Sequence, residues 1–298
     1  MNPQRLFSNP DDLLDRVQDI CPFPAAAERL MVLANDERSS IEAIAAVVAG
    51  DPALAAQVLR IANSAGFRRP GAERVGDLRR GLVAIGLEAL RKMAGAMAVL
   101  AKFANADGLS LDLHARSALC GSIASALMSG ASGSDRGTPF LCGLLGEVGA
   151  LACLAVDGAG YLAIRTCTIS VTGAWSVNVA LAREEMEVLR YGVPARKIGA
   201  RLLVRHGLPE DIAAAIEAGP RQSPQAPRLH RATAFARLAT PVVVTAQGGV
   251  VLPDVSLQLR ELARITSLSD MAASQLERTC LLAAASAEKS LRVVRAGR

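Results

Sequence analysis

Residues 51–65, Asp51-Pro52-Ala53-Leu54-Ala55-Ala56-Gln57-Val58-Leu59-Arg60-Ile61-Ala62-Asn63-Ser64-Ala65, decide how the rest of the chain is read. Aspartate at position 51 can accept from the orphan N–H groups of a helix start. Pro52 suits the first helical position because its missing N–H would have no partner there. Leu54, Val58, Leu59 and Ile61-Ala62 recur at helical spacing and make one apolar stripe, and Asn63-Ser64 close the helix just before Gly66. The spacing predicts a single capped core helix.

The composition extends that reading to the whole chain of 298 residues. It is 51% hydrophobic but only 3% aromatic, so alanine and the aliphatics must build the core. Such a mix favours closely packed helices over a β-sandwich, which draws on β-branched and aromatic residues. The fold class expected is all-α, and a chain of this length can bury a substantial core. No apolar run is long enough to predict a membrane span; the nearest, residues 140–156, carries Glu147 and several glycines. Residues 1–15 lack the apolar centre of a signal peptide, so a cytoplasmic location is expected. Six scattered cysteines, with no Cys-x-x-Cys among them, read as small buried hydrophobes, and three histidines give no zinc framework. The net charge of +5 is carried by 29 arginines and four lysines. Arginine suits phosphate, but +5 over this length is modest and does not by itself mark a nucleic-acid binder.

Punctuation divides the chain into helices. Ser39-Ser40-Ile41-Glu42 fits a capping box for a helix reaching Gly50. Residues 66–76 form a loop, Asp77 caps a short helix ending at Gly86, and a longer helix follows to about 104. Beyond a hinge at 105–110, helices are expected over about 112–130, 138–156, 174–191, 194–206, 209–218, 228–240, 254–265 and 269–294. The β-branched run at 166–173 reads locally as strand, but has nothing to pair with, and is expected to be irregular. These elements suggest an N-terminal helical subdomain over 14–104, a second over 105–220, and C-terminal helices over 228–294 packing on the second.

The 51–65 helix also resembles the signature of the HDOD domain, a non-catalytic relative of the HD metal-dependent phosphohydrolases found in bacterial signalling proteins. The resemblance covers most of 20–220 and is best at 51–65 and 198–209. It implies an HD-like helical bundle and shows where metal ligands would lie in a catalytic relative. Gly143-Leu144-Leu145-Gly146-Glu147-Val148-Gly149 resembles Gly-Leu-Leu-His-Asp-Ile-Gly, with Gly146 and Glu147 at the His-Asp positions. His114-Ala115-Arg116-Ser117 resembles Trp-x-His-Ser, which puts Arg116 at the first ligand position. Glu187 to Ala195 resembles a Glu-…-Gly-x-Asp-His stretch, with Pro194-Ala195 in place of Asp-His. Ala218-Gly219-Pro220 stands where a last histidine is expected. The framework positions match and the ligand positions Arg116, Gly146, Glu147 and Ala195 do not, so no metal, no cofactor and no catalytic residue is expected.

The remaining polar features have simpler readings. Glu147 reads as a relic paired with arginine, Arg116 being a candidate partner, or as a remnant acid–base group. Glu184, Glu185 and Glu187, interleaved with Arg183, Arg190 and Arg196, read as a solvated helix face. His206, ahead of Gly207, fits a helix C-terminus and its dipole. Arg68, Arg69, Arg74, Arg79 and Arg80 are the densest basic cluster and could meet a phosphate-bearing partner, although no aromatic residues interleave for base stacking. Asp51, Pro52, Asn63 and Ser64 read as structural, Asn63 fixing the helix end against the following loop. There is no phosphate-binding Gly-rich loop with Lys-Ser/Thr, no Gly-x-Ser-x-Gly and no His-Glu-x-x-His.

Taken together these readings imply a non-enzymatic signalling scaffold or regulator that binds other signalling proteins. Receiver domains or cyclic-di-GMP enzymes, which accompany the family, would come as separate chains. The alternatives are a divergent metal-dependent phosphohydrolase, and a nucleotide, cyclic-dinucleotide or nucleic-acid sensor built on the Arg68–Arg80 cluster.

Overall fold

A computed structural model describes residues 5–7, 9–21, 24–63, 75–103, 108–128, 137–172, 177–247 and 255–296. Every regular element among them is an α-helix. The first six are α1 (Pro10–Ile20), α2 (Ala25–Asn35), α3 (Ile41–Ala49), α4 (Pro52–Ala62), α5 (Leu78–Ile85) and α6 (Leu87–Ala101). Local chemistry fixes their starts. Asn9 opens α1 with a capping box, its side chain accepting from Asp11 N at 3.1 Å while Asp12 accepts from Asn9 N at 3.2 Å. Asp51 Oδ1 accepts from Leu54 N at 3.1 Å, and Asp77 Oδ1 from Arg80 N at 2.9 Å, as their positions predict. The expected box at Ser39–Glu42 shifts by one residue. Ser40 is the cap, accepting from Ala43 N, while the Ser39 hydroxyl turns back onto the carbonyls of Leu33 and Asp36.

The helices that follow are α7 (Gly108–Met128), α8 (Gly137–Leu144), α9 (Val148–Val156), α10 (Gly158–Thr172), α11 (Val177–Tyr191), α12 (Ala195–Arg205) and α13 (Glu210–Glu217). The chain closes with α14 (Arg228–Gln247), α15 (Val255–Ile265) and α16 (Ala273–Ala296). Two expectations are corrected here. The β-branched run beginning at 166 is helical through Thr172, because α10 packs between α9 and α11 and the Thr166 hydroxyl is satisfied by Leu162 O at 2.9 Å. Packing of this kind outweighs the small helix penalty of branched residues. The single helix expected over 138–156 is broken by a turn at 145–147, which leaves Glu147 at the N-cap of α9.

The core has two parts. The larger draws on α1–α6 and on α8, α9, α12 and α13, so it takes side chains from both sides of the expected 104/105 boundary. The smaller joins α7 to α14, α15 and α16 through Leu119, Ile123, Phe235, Leu259 and Leu276. Residues 137–156 are apolar and long enough to span a membrane by composition, but 78% of that window is buried within the protein. Four cysteines are buried as expected, whereas Cys21 is half-buried and Cys167 exposed. All six are free thiols.

Glycines set the helix crossings. A Cβ on Gly143 would lie 2.5 Å from backbone atoms of Cys120 and Gly121, and one on Gly149 would lie 1.8 Å from Ala195 O. Hence α8 rests directly on the backbone of α7, and α9 on that of α12.

Candidate functional site

The break between α8 and α9 aims Glu147 into a cleft of about 520 Å³, including its open mouth. Its walls come from α7 (Arg116, Cys120), α11 (Arg183, Glu184), Gly219-Pro220 and α14 (Arg237, Thr240). Two of the four sequence-predicted positions, Arg116 and Glu147, therefore face one space. Gly146 adjoins them: a Cβ there would stand 3.4 Å from both Cγ and Cδ of Arg237. Any long side chain at 146 would compete with the Arg237 stem for the same volume. Ala195 is buried, and its N–H donates to Glu187 Oε2 at 2.8 Å.

Charge dominates the cleft. Burial alone would raise the Glu147 pKa, but the guanidiniums of Arg183, Arg165, Arg237 and Arg116 more than offset that penalty and hold it below the ordinary value. Arg116, the partner expected for Glu147, instead makes its close ion pair with Asp112 at 2.8 Å, and Arg165 lies 3.5 Å from the same carboxylate. Arg183 carries the largest favourable influence on Glu147, and the carboxylates of Glu147 and Glu187 drive the Arg183 pKa upward against burial.

The helix face read as solvated is only partly so. Glu187 is 2% exposed and takes hydrogen bonds from Ala195 N and from Tyr161 OH at 3.3 Å. Its pKa is raised, chiefly by burial, with Arg183 and the Ala195 N–H opposing. Arg183 Nε faces Glu187 Oε1 at 3.7 Å, Arg196 pairs with Glu184 at 2.8 Å, and Glu185 remains exposed. Arg190 leaves this face altogether and pairs with Asp157.

Arg165 and Arg237 escaped the sequence reading. Arg165 lies one residue before the run expected to be irregular, in a stretch to which the sequence assigns no helix. Arg237 did carry a signal, as a lone arginine inside the apolar run 232–240.

The other sequence candidates stand apart. Arg79 and Arg80 are exposed on α5, whereas Arg68, Arg69, Arg74 and Ser64 lie outside the described residues. Asn63 bridges two segments, its Nδ2 donating to Leu59 O and Val75 O at 2.8 Å each, and its Oδ1 accepting from Val75 N at 2.9 Å. His206 does end α12, but burial, Lys102 and Arg205 push its pKa down to about 4. It stands there as a neutral ring, and not as a cation on the helix dipole. Thiol chemistry gains nothing at the cleft, since burial pushes Cys120 up to about 12.

The donor set does not fit the divalent metals of a phosphohydrolase. Gly146 and Ala195 offer no side-chain ligand, and Glu147 is one carboxylate among four guanidiniums. Among the described residues no three His, Cys, Asp or Glu side chains gather where they could hold a metal ion.

Known proteins place the chain firmly. Residues 20–220 match the HDOD domain family model. A candidate phosphohydrolase from Shewanella amazonensis SB2B is similar in structure at 22% identity, with a TM-score of 0.66 over 94% of this chain and 97% of that one. An HDOD domain protein of unknown function from Geobacter sulfurreducens is similar at 18% identity and TM-score 0.61, covering 95% and 99%. A candidate signal transduction protein from Marinobacter aquaeolei VT8 is similar at 20% identity and TM-score 0.52, covering 92% of this chain and 62% of that one. No curated protein is significantly similar. With the family model matched over more than half its length and the helical architecture shared end to end, the chain belongs to the HDOD domain family.

Proposed function

We propose that this protein is a non-enzymatic signalling module of the bacterial cytoplasm, which works by binding other signalling proteins through its helical surface. The names of its structural neighbours pull in two directions, toward phosphohydrolysis and toward signal transduction. One observation favours the second: guanidiniums surround the position where a hydrolase of this architecture would gather metal ligands. A metal hydrolase needs an open site with at least three protein ligands to lower the pKa of a bound water. Arg116, Arg165, Arg183 and Arg237 would instead repel a divalent cation. The partners that suit this reading are separate receiver domains or cyclic-di-GMP enzymes, which the groove between α7, α11 and α14 or the flanking helical faces would contact.

The test combines metal analysis with turnover. Protein expressed with added manganese, iron and zinc is expected to carry no stoichiometric metal and to leave a chromogenic phosphodiester unhydrolysed. Stoichiometric metal, together with turnover abolished by Glu147→Ala, would overturn the reading. Pairwise binding assays against receiver domains from the same genome then address the partner.

A further inference from the structure

We infer that the outer face of α10 and α11 pairs with the same face of a second copy of this chain, making a two-fold symmetric homodimer. The inference goes beyond the signalling reading and does not depend on which protein partner is bound.

Only residues 173–176 separate the two helices in sequence. Asp157, just ahead of α10, accepts from Arg190 Nη2 at 3.0 Å, and Tyr161 OH donates to Glu187 at 3.3 Å. The start of α10 therefore lies against the end of α11, and the pair runs antiparallel. Tyr161, Ile164 and Arg165 are buried, which turns the opposite side of α10 outward. Gly158, Ala159, Leu162, Ala163, Thr166 and Cys167 are all exposed there, and none of them carries a charge. The exposed side of α1, by contrast, presents Asp11, Asp12, Asp15, Arg16 and Asp19.

The neighbouring helix continues the apolar face. Leu162 on α10 is 50% exposed, and Met186, Val188 and Leu189 on α11 are 36%, 43% and 52% exposed. At 100° per residue, Met186 lies on the α10 side of the outer surface of α11, with Leu189 beside it at the crest. Glu185 is exposed at the far edge.

Three properties of this face select a second copy as its occupant. The first is composition. Contacts with transient partners are about as apolar as the rest of a protein surface, whereas homodimer contacts are more apolar and poor in charge. An uncharged face also meets its own copy without opposing like charges. The second is shape. Ala159 and Ala163 stand one helical turn apart in the middle of α10, so two α10 backbones can cross closely there, with Leu162 to one side and Met186 and Leu189 to the other. The third is area. The exposed apolar side chains amount to roughly 500 Å² per copy, near the top of the ~300–600 Å² range for the largest patch on a monomer. With the Glu185 rim added, the face approaches the ~600–800 Å² per partner that a stable complex requires. Such a contact is isologous and closes at two chains.

The experiment is sedimentation velocity of the full chain from about 1 to 200 μM, a span that resolves micromolar association. A reversible monomer–dimer equilibrium is expected. Ala163→Arg sets two guanidiniums against each other across the two-fold axis and should weaken the dimer more than tenfold. Leu189→Lys, at an independent exposed position, should do the same if Ala163→Arg does not fold. Leu282→Lys changes a side chain on α16 that is 61% exposed and outside this face, and should leave the dimer as it is. Cys167 supplies a native probe, being the exposed thiol among six cysteines. Its reaction with a disulfide reagent should slow as the parent dimerises and keep one rate in Leu189→Lys. A parent that stays monomeric throughout overturns the inference and leaves the signalling reading intact. So does a dimer that survives both Ala163→Arg and Leu189→Lys, which places the contact elsewhere. A monomer that floats with phosphatidylcholine vesicles, and loses that with Leu189→Lys, overturns it in favour of a membrane surface.

Discussion

Gly149→Ala tests whether the glycines of the 143–149 stretch are packing residues and not remnants of chemistry. A methyl at 149 would lie 1.8 Å from Ala195 O, 2.7 Å from Ala195 C and 2.8 Å from Gly199 N. A carbon approaches a carbonyl oxygen comfortably at about 3.3 Å, so α9 and α12 would have to part by roughly 1.5 Å. None of the obstructing atoms is a flexible side-chain end, and Gly199 is itself confined by Val148 and the backbone of Gly149. Parting the helices loosens Val148, Ile198 and Leu202 in the main core, where a gap of 0.5–1 Å already forfeits a quarter to a half of each contact. Overpacking of this kind costs about 3 kcal/mol or more, against the ~1 kcal/mol that alanine gains over glycine inside a helix. The net loss of at least about 2 kcal/mol is read as a lower urea midpoint by far-UV circular dichroism, with the slope compared to the parent. Gly95→Ala, in α6, is the control: its methyl would meet Leu208 at 3.7 Å, an ordinary contact, so it should stabilise by about 0.5–1 kcal/mol. Equal shifts for the two variants, or a parent-like midpoint for Gly149→Ala, would refute the reasoning.

Two further outcomes follow from groups outside the cleft. Asn63→Ala removes three hydrogen bonds and leaves Val75 N and O without their partner, so about 2–3 kcal/mol should be lost by the same urea measurement. Amide exchange at Val75 should then accelerate, while loss below about 0.5 kcal/mol would show that the bridge is incidental. His206 has a folded pKa of about 4 against 6.5 for the free group, so below 6.5 the unfolded chain takes up a proton that the folded chain refuses. Its contribution is complete above pH 6.5 and disappears as the pH falls toward 4; because the ring is partly exposed, solvent screening keeps the loss well below the ~3.4 kcal/mol that the full shift would carry. His206→Gln should therefore flatten the stability profile between pH 6.5 and 4, and an unchanged slope would show that the ring is solvated.

How much the sequence disclosed depended on the range of each interaction. Asp51, Asp77 and Asn63 were legible because a cap or a helix-end bridge is written within a dozen residues. Gly143 and Gly149 were legible as framework, but their partners on α7 and α12 were not, since nothing local names the backbone that will lie against them. Thr166 to Thr172 misled because local propensity is weak beside the packing of α10 on α9 and α11. The basic cluster at 68–80 drew attention by being contiguous. Arg116, Arg165, Arg183 and Arg237 come from four different helices, and only their convergence makes them a site.

That convergence also bears on catalysis. A general base works best with a pKa near the operating pH, and a general acid must still hold its proton there. Glu147 does neither, because the surrounding guanidiniums keep it ionised below the ordinary carboxylate range. Glu187 is shifted the other way by burial, yet its two oxygens are engaged by Ala195 N and Tyr161 OH. Tyr161 is buried with a pKa far above neutrality, so it can donate a hydrogen bond but not readily release its proton. Guanidiniums can stabilise a phosphate's charge, but each remains protonated and none can take a proton from water. Among these described residues no proton acceptor combines a pKa near neutrality with free oxygens facing the cleft, which supports the proposed non-enzymatic reading.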